Sequence, residues 1–174
     1  MTQTNTTRRA FLGTTVLSAA TLPFAGAAHA RPDRTADYQY EITRSEEEWR
    51  QILSEYEYEI LRNSGTEWAK TSEFWDDYSE GKFFCKGCDL HNYSSEWRVE
   101  LDKGWVFFAH SQPTTVLTDI DKAANYSMNG NAARTMIEAH CRRCGSHLGH
   151  ILTVERKLVH CINGASLKFE PASA

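Results

Sequence analysis

The segment Cys141-Arg142-Arg143-Cys144-Gly145-Ser146-His147-Leu148-Gly149-His150 opens with the spacing already set by Cys85-Lys86-Gly87-Cys88. Two C-x-x-C turns brought together offer four thiolates to one ion, the closed tetrahedral arrangement of structural zinc. Iron fits the same ligands. The residues between the pairs suffice for several strands, so the metal is expected to clip the ends of a sheet together. Gly87 reads as a left-handed position in the first turn, and Gly145 follows the second. Disulfides in an oxidising compartment and a redox pair are the other readings. A disulfide across two residues closes a very small ring and is reactive rather than structural, and the doubled spacing is the more specific signal for metal.

Around the pairs, short β-like runs alternate with Gly, Asn and Asp. Strands are predicted at Lys82–Cys85, Trp97–Leu101, Trp105–Ala109, Thr115–Ile120, Thr135–His140, Leu148–Thr153, Leu158–Asn163 and Leu167–Glu170. Asp121–Ala133, with three Asn and a Gly, is the expected long loop. Upstream, Ser45 stands three residues before Glu48 as in a capping box, and Trp49, Ile52, Leu53 and Tyr56 follow at helical spacing. A second short helix is predicted over Tyr56–Asn63, with Gly65 as its stop. The class is mainly β within α+β: an antiparallel core with short N-terminal helices.

The chain has 174 residues, a net charge of -4 and 41% hydrophobic residues, which fits one globular domain. No basic stripe gives an electrostatic case for nucleic acid. Residues 1–30 differ from the rest. Arg8-Arg9 precede an Ala/Thr-rich apolar stretch that ends in Ala28-His29-Ala30, and no acidic residue occurs before Asp33. This is the layout of a cleavable twin-arginine signal, which predicts an exported, periplasmic protein. Gly13, Pro23 and several Thr make the stretch a poor membrane anchor. Residues 31–39 read as a linker and 40–174 as the working domain.

With four cysteines assigned to metal, Cys161 is left over in Leu158-Val159-His160-Cys161-Ile162-Asn163-Gly164. A lone cysteine in an apolar strand is either a buried core residue or a nucleophile with polar help nearby. Val159, Cys161 and Asn163 are expected on one strand face, with His147 and His150 upstream. Those residues alone leave both readings open.

The chain resembles the type B methionine sulfoxide reductases over residues 40–171. The resemblance rests on Glu48-Trp49-Arg50, Leu61-Arg62, Gly65-Thr66-Glu67, both C-x-x-C pairs, Gly104-Trp105, Gly145 to His150, and Cys161 to Phe169. It implies the zinc-stapled antiparallel β fold of that family, with zinc on Cys85, Cys88, Cys141 and Cys144. It also implies thiol-dependent reduction of methionine (R)-sulfoxide in proteins and peptides. Cys161 matches the nucleophile that becomes a sulfenic acid. His147 and His150 match the histidines that orient the sulfoxide and help protonate its oxygen, Asn163 the pocket asparagine, and Trp105 the wall for the substrate methyl. On the residues themselves, Trp105 also fits a core position, and the two histidines fit groups supporting the metal. The expected partners are oxidised proteins or peptides and an external, thioredoxin-like thiol reductant, and the chain is expected to be a monomer.

Five departures from the family pattern carry expectations of their own. Val159 stands where Arg is usual, and Thr153-Val154 where an acidic residue is usual, with a shortened loop after it. Val106-Phe107 and Gly164 replace Pro-Ser and Ser. His160 is expected on the opposite strand face and so not to replace the Arg. Altered substrate preference, a less activated thiol or low activity follows. Lys103 occupies the place of a resolving cysteine in many relatives, which predicts a one-cysteine cycle. The alternative is a weakly active or inactive zinc-binding β module that binds a peptide or small molecule. A thiol peroxidase or exchanger fits less well without a partner cysteine.

Overall fold

The computed structural model describes residues 38–121 and 136–173. The predicted leader and, beyond Asp121, the predicted long loop lie outside them. Two helices come first, α1 (Glu46–Ile52) and α2 (Glu55–Arg62). Each starts with a full capping box, Ser45 with Glu48 and Ser54 with Glu57. The second box restarts the chain in a new direction and interrupts the apolar period read from sequence. Trp49 and Leu53 are therefore buried, while Ile52 and Tyr56 are exposed. After α2 it is Ser64 that takes the left-handed conformation, at φ 54°. Gly65 serves instead by close approach: its N–H donates to Glu59 O at 3.0 Å, and a Cβ there would lie 2.8 Å from that oxygen.

Eight strands follow among the described residues: β1 (Gly81–Cys85), β2 (His91–Ser94), β3 (Val106–Phe108), β4 (Val116–Asp121), β5 (Met136–Cys141), β6 (His147–Val154), β7 (Lys157–Ile162) and β8 (Leu167–Pro171). They form a three-stranded sheet ordered β2-β1-β8 and a five-stranded sheet ordered β3-β7-β6-β5-β4, with every pairing antiparallel. The strand predicted at Trp97–Leu101 is not formed. Ser95–Trp97 is a 3-10 turn, and only Arg98 makes an isolated bridge, to Phe108. Arg98 is committed to a different task, with its guanidinium carbon 4.7 Å from the centre of the Tyr78 ring and 5.5 Å from that of Phe108. β2, absent from the prediction, fills the edge beside β1.

The connection from β6 to β7 is short, as expected. Glu155 and Arg156 both have positive φ, 48° and 66°, the backbone of a tight two-residue hairpin turn. Phe83 of β1 sits at the centre of the core, its ring 5.2 Å from Phe108 of the larger sheet and 4.8 Å from Phe169 of β8. Trp49, Leu53, Ile60 and Leu61 of the helical segment close the same core. Phe83→Ala is expected to cost about 3–5 kcal/mol, measured as a lower urea midpoint with the unfolding slope unchanged.

Candidate active site and metal centre

β1 ends at Cys85 and β5 at Cys141, so the two C-x-x-C turns project from the ends of strands in different sheets. The four Sγ atoms of Cys85, Cys88, Cys141 and Cys144 lie within 4.8 Å of one another, all buried. Cys85 and Cys144 Sγ are 3.7 Å apart, Cys88 and Cys141 Sγ 3.5 Å. A tetrahedron with metal–sulfur bonds of about 2.3 Å has edges of about 3.8 Å. The donor set and its size therefore fit a four-thiolate metal site, consistent with zinc. Cations surround it at the carbonyls of the turns: Arg44 donates to Gly87 O, Arg62 to Cys144 O and Arg143 to Cys88 O, each at 3.2 Å. Gly145 is left-handed at φ 69°. Gly87 is not, which corrects the sequence reading. Glycine is required there because a Cβ would lie 2.7 Å from Ser146 Oγ and 3.3 Å from the Trp49 ring.

The second group of residues forms a row across the five-stranded sheet. Phe107 stands opposite Cys161, Cys161 opposite His150, His150 opposite Glu138, and Glu138 opposite Asp119. Directly opposed residues share a sheet face. His147, three residues before His150, would fall on the other face of a regular strand. A register shift at Ala139/His140 prevents this, and the two imidazoles meet with ring centres 5.1 Å apart. His147 Nδ1 lies 2.7 Å from Glu138 Oε1, and His150 Nε2 lies 2.7 Å from Asp121 Oδ2. Gly149 allows β6 to approach β7 here, since a Cβ would lie 2.2 Å from Cys161 O.

Cys161 is half-buried, beside an apolar cluster of Leu101, Phe107 and Val159 that Trp105 and Val154 also join. Three of the departures from the family pattern thus meet in one patch. Burial, then the charge of Glu67, pushes the Cys161 thiol up to about 12. Burial also lowers His150, against the pull of Asp121. At Glu138 burial is the largest single influence and works upward, but the hydrogen bond from His147 together with the nearby charges of His147 and His140 outweighs it, and the carboxyl stays below its ordinary value. His160 faces the other way, as predicted, with Nδ1 3.1 Å from the Tyr93 hydroxyl.

Asn163 lies just beyond β7, and its carboxamide is committed to a neighbouring loop. Oδ1 accepts from Glu67 N at 3.1 Å, and Nδ2 donates to Gly65 O at 3.4 Å. Trp105 Nε1 donates to Glu67 O at 3.3 Å. The Glu67 carboxylate accepts the N–H groups of Gly164 and Ala165 at 2.8 and 2.9 Å. Glu67 thereby ties the chain just after Cys161 to the Gly65–Glu67 loop.

A model of the SelR domain matches residues 53–171. The chain belongs to the SelR domain family. Curated relatives include peptide methionine sulfoxide reductase MsrB of Leptospira interrogans, 35% identical over 134 residues that make up 75% of this chain and 97% of the relative. Peptide methionine sulfoxide reductase B3 of Arabidopsis thaliana is 34% identical over 141 residues, 76% of this chain and 73% of the relative. The MsrB of Thiobacillus denitrificans is 34% identical over 131 residues, 74% and 94% of the two chains.

In this SelR domain the structure brings Cys161, His147 and His150 onto one face, places Trp105 at the cluster beside them, and gathers the four metal cysteines elsewhere. Sequence reasoning missed Glu138, Asp121 and the structural part played by Glu67. Glu138 carried a usable signal, because it shares a strand with the metal ligand Cys141 and precedes it by an odd number of residues. Asp121 carried none, because its partner is brought to it only by sheet pairing.

Burial raises the Glu67 carboxyl above its ordinary 4.5, against the two amides that favour its charge. A group raised on folding contributes stability that is complete below its unfolded value and is lost as pH rises through the folded one. Unfolding measured against pH should show wild type losing stability upward from the ordinary carboxylate range, and Glu67→Gln should remove that slope.

Proposed function

We propose that this SelR domain is a peptide-methionine (R)-S-oxide reductase with a structural zinc and a one-cysteine cycle. The observation that carries the reading is the shared sheet face of Cys161, His147 and His150, in a chain whose relatives are named for methionine sulfoxide reduction. Cys161 is the nucleophile. It attacks the sulfoxide sulfur, takes the oxygen and becomes a sulfenic acid. His147 and His150 orient the sulfoxide and supply the proton its oxygen needs. Trp105 offers its ring to the methyl group, and Asn163 serves the site by holding the chain beyond Cys161 against the Gly65–Glu67 loop.

Zinc is the ion that the four buried thiolates fit, and its role is structural because no ligand position is left open. The four metal cysteines lie in a cluster apart from Cys161, and Lys103 occupies the place where a resolving thiol would be needed. An external thiol, thioredoxin-like in the cell, therefore reduces the sulfenic acid directly. Residues 1–30 are read as a twin-arginine signal that sends the chain to the periplasm. The support is Arg8-Arg9, the apolar stretch and Ala28-His29-Ala30. Oxidised proteins and peptides are the substrates, and the working form is a monomer.

The apolar surroundings of Cys161 favour a second reading, a module that keeps the pocket and has lost turnover. An assay on the chain from Arg31, with separate R and S epimers of a methionine sulfoxide peptide and dithiothreitol, separates the two. The expected outcome is reduction of the R epimer only, lost in Cys161→Ser, with the mass of one oxygen on Cys161 when thiol is withheld. No turnover in a folded, zinc-loaded sample would establish the binding module, and a disulfide at Cys161 would overturn the one-cysteine cycle.

Removing the metal should unfold the domain rather than merely silence it. A mercurial thiol reagent is expected to release about one zinc per chain, counted with a chromogenic chelator, and to abolish the cooperative thermal transition.

A further inference from the structure

The two histidines of the site are held by different atoms, and the difference assigns them different work. His147 gives Nδ1 to the Glu138 carboxylate, whereas His150 gives Nε2 to Asp121. Glu138 stays ionised, so the proton between it and His147 sits on Nδ1. The other nitrogen of His147, Nε2, is buried and has no hydrogen-bond partner among the described residues. Of the four ring nitrogens of this pair it alone is in that state. A buried imidazole nitrogen without a partner is costly, and the ring bearing it is 2% exposed.

We propose that Glu138 is a positioning residue for the reductase reaction: by accepting Nδ1–H of His147 it turns Nε2 toward the substrate as the atom that carries the proton. This rests on the reductase reading above and adds a residue and an atom to it. In the step itself Nε2 accepts the proton of the Cys161 thiol as Sγ attacks the sulfoxide sulfur. The same proton is passed to the sulfoxide oxygen, which leaves the substrate sulfur and stays on Cys161. The substrate sulfur gains two electrons and becomes a thioether, while Cys161 loses two and becomes a sulfenic acid. Two equivalents of external thiol then return Cys161 to the thiol and release water and a disulfide. While the proton is on Nε2 the ring is an imidazolium, and the adjacent Glu138 carboxylate is the charge that stabilises it.

The apolar cluster beside Cys161 gives this arrangement its point. Leu101, Phe107 and Val159 bring no charge of their own to the thiol, so a base is needed to take its proton at the moment of attack. Among the described residues, few charged and titratable groups face His147. Glu138 comes from β5 with His140 beyond it, Asp121 from β4, His150 from the same strand, and Cys161 from β7 opposite His150. Arg62 of α2 reaches Ser146, the residue before His147.

The test is made on the zinc-loaded chain from Arg31, comparing wild type with Glu138→Gln and Glu138→Asp. Long-range 1H–15N spectra of the His147 ring read its tautomer, and kinetics with an R-sulfoxide peptide and dithiothreitol read the rate against pH. The expected spectrum has the proton on Nδ1 in wild type and loses that preference in Glu138→Gln. The expected rate loss in Glu138→Gln is about 10²-fold in kcat with KM little changed. Glu138→Asp should restore part of the rate. Equal zinc content and equal melting temperature exclude a folding defect. Wild-type His147 with its proton on Nε2, or Glu138→Gln with wild-type kcat, overturns the assignment. A wild-type sample without turnover overturns the reductase reading instead, and the tautomer in that sample still decides whether Glu138 holds the ring.

Discussion

Four sulfur atoms buried within 4.8 Å of one another repel as thiolates and waste their donors as thiols. An ion at their centre converts that liability into a bond between parts of the chain with little else to fix them. Two of the thiolates belong to the turn after β1 and two to the turn after β5. The smaller sheet, the larger sheet and, through Arg44 and Arg62, the helical segment all converge there. A divalent ion with four thiolates keeps a double negative charge, and Arg44, Arg62 and Arg143 at the turn carbonyls lie where that charge must be balanced. Trp49 is held between two of those arginines, 4.8 Å from Arg44 and 4.6 Å from Arg62. The helices thus depend on the metal turn as much as the turn depends on them.

At the other centre the balance differs. The face that carries Cys161 is apolar on one side, with Phe107 and Val159, and ionic on the other, with Glu138 and Asp121. A thiol placed at that boundary is quiet by itself. Its reactivity is borrowed from the histidines, and theirs from the carboxylates behind them. The row runs perpendicular to the strands, so its members come from five different strands and are adjacent only because the register of the sheet is correct.

That geometry explains what could be read from the sequence. The metal ligands were legible because each C-x-x-C is local and its spacing is chemically specific. Strands with a clear β period, such as Val116–Asp121 and Leu167–Pro171, were legible for a similar reason. Cys161, His147 and His150 were legible as a set only through family resemblance, since strand alternation taken alone separates the two histidines. The register shift that reunites them is a property of β5 and β6 together. Asp121, far from His150 in sequence, was illegible for the same reason. The failed strand at Trp97–Leu101 was decided by Arg98, whose guanidinium found aromatic faces in three other segments. The second capping box was present in the sequence and was overlooked in favour of the apolar period running through it.

The tight turn at Glu155-Arg156 has a bearing on the order in which the molecule assembles. His150 and Cys161 stand opposite each other within the single hairpin it closes, so their pairing involves only local chain closure, an event on the order of microseconds. Cys88 and Cys141 are separated by 53 residues of sequence, and joining them means closing a large loop first. The thiol and its facing histidine can therefore meet while the chain is still open, and the metal arrives as the late event that locks the sheets around them. In kinetic language, the chemistry sits in the fast part of the topology and the stability in the slow part.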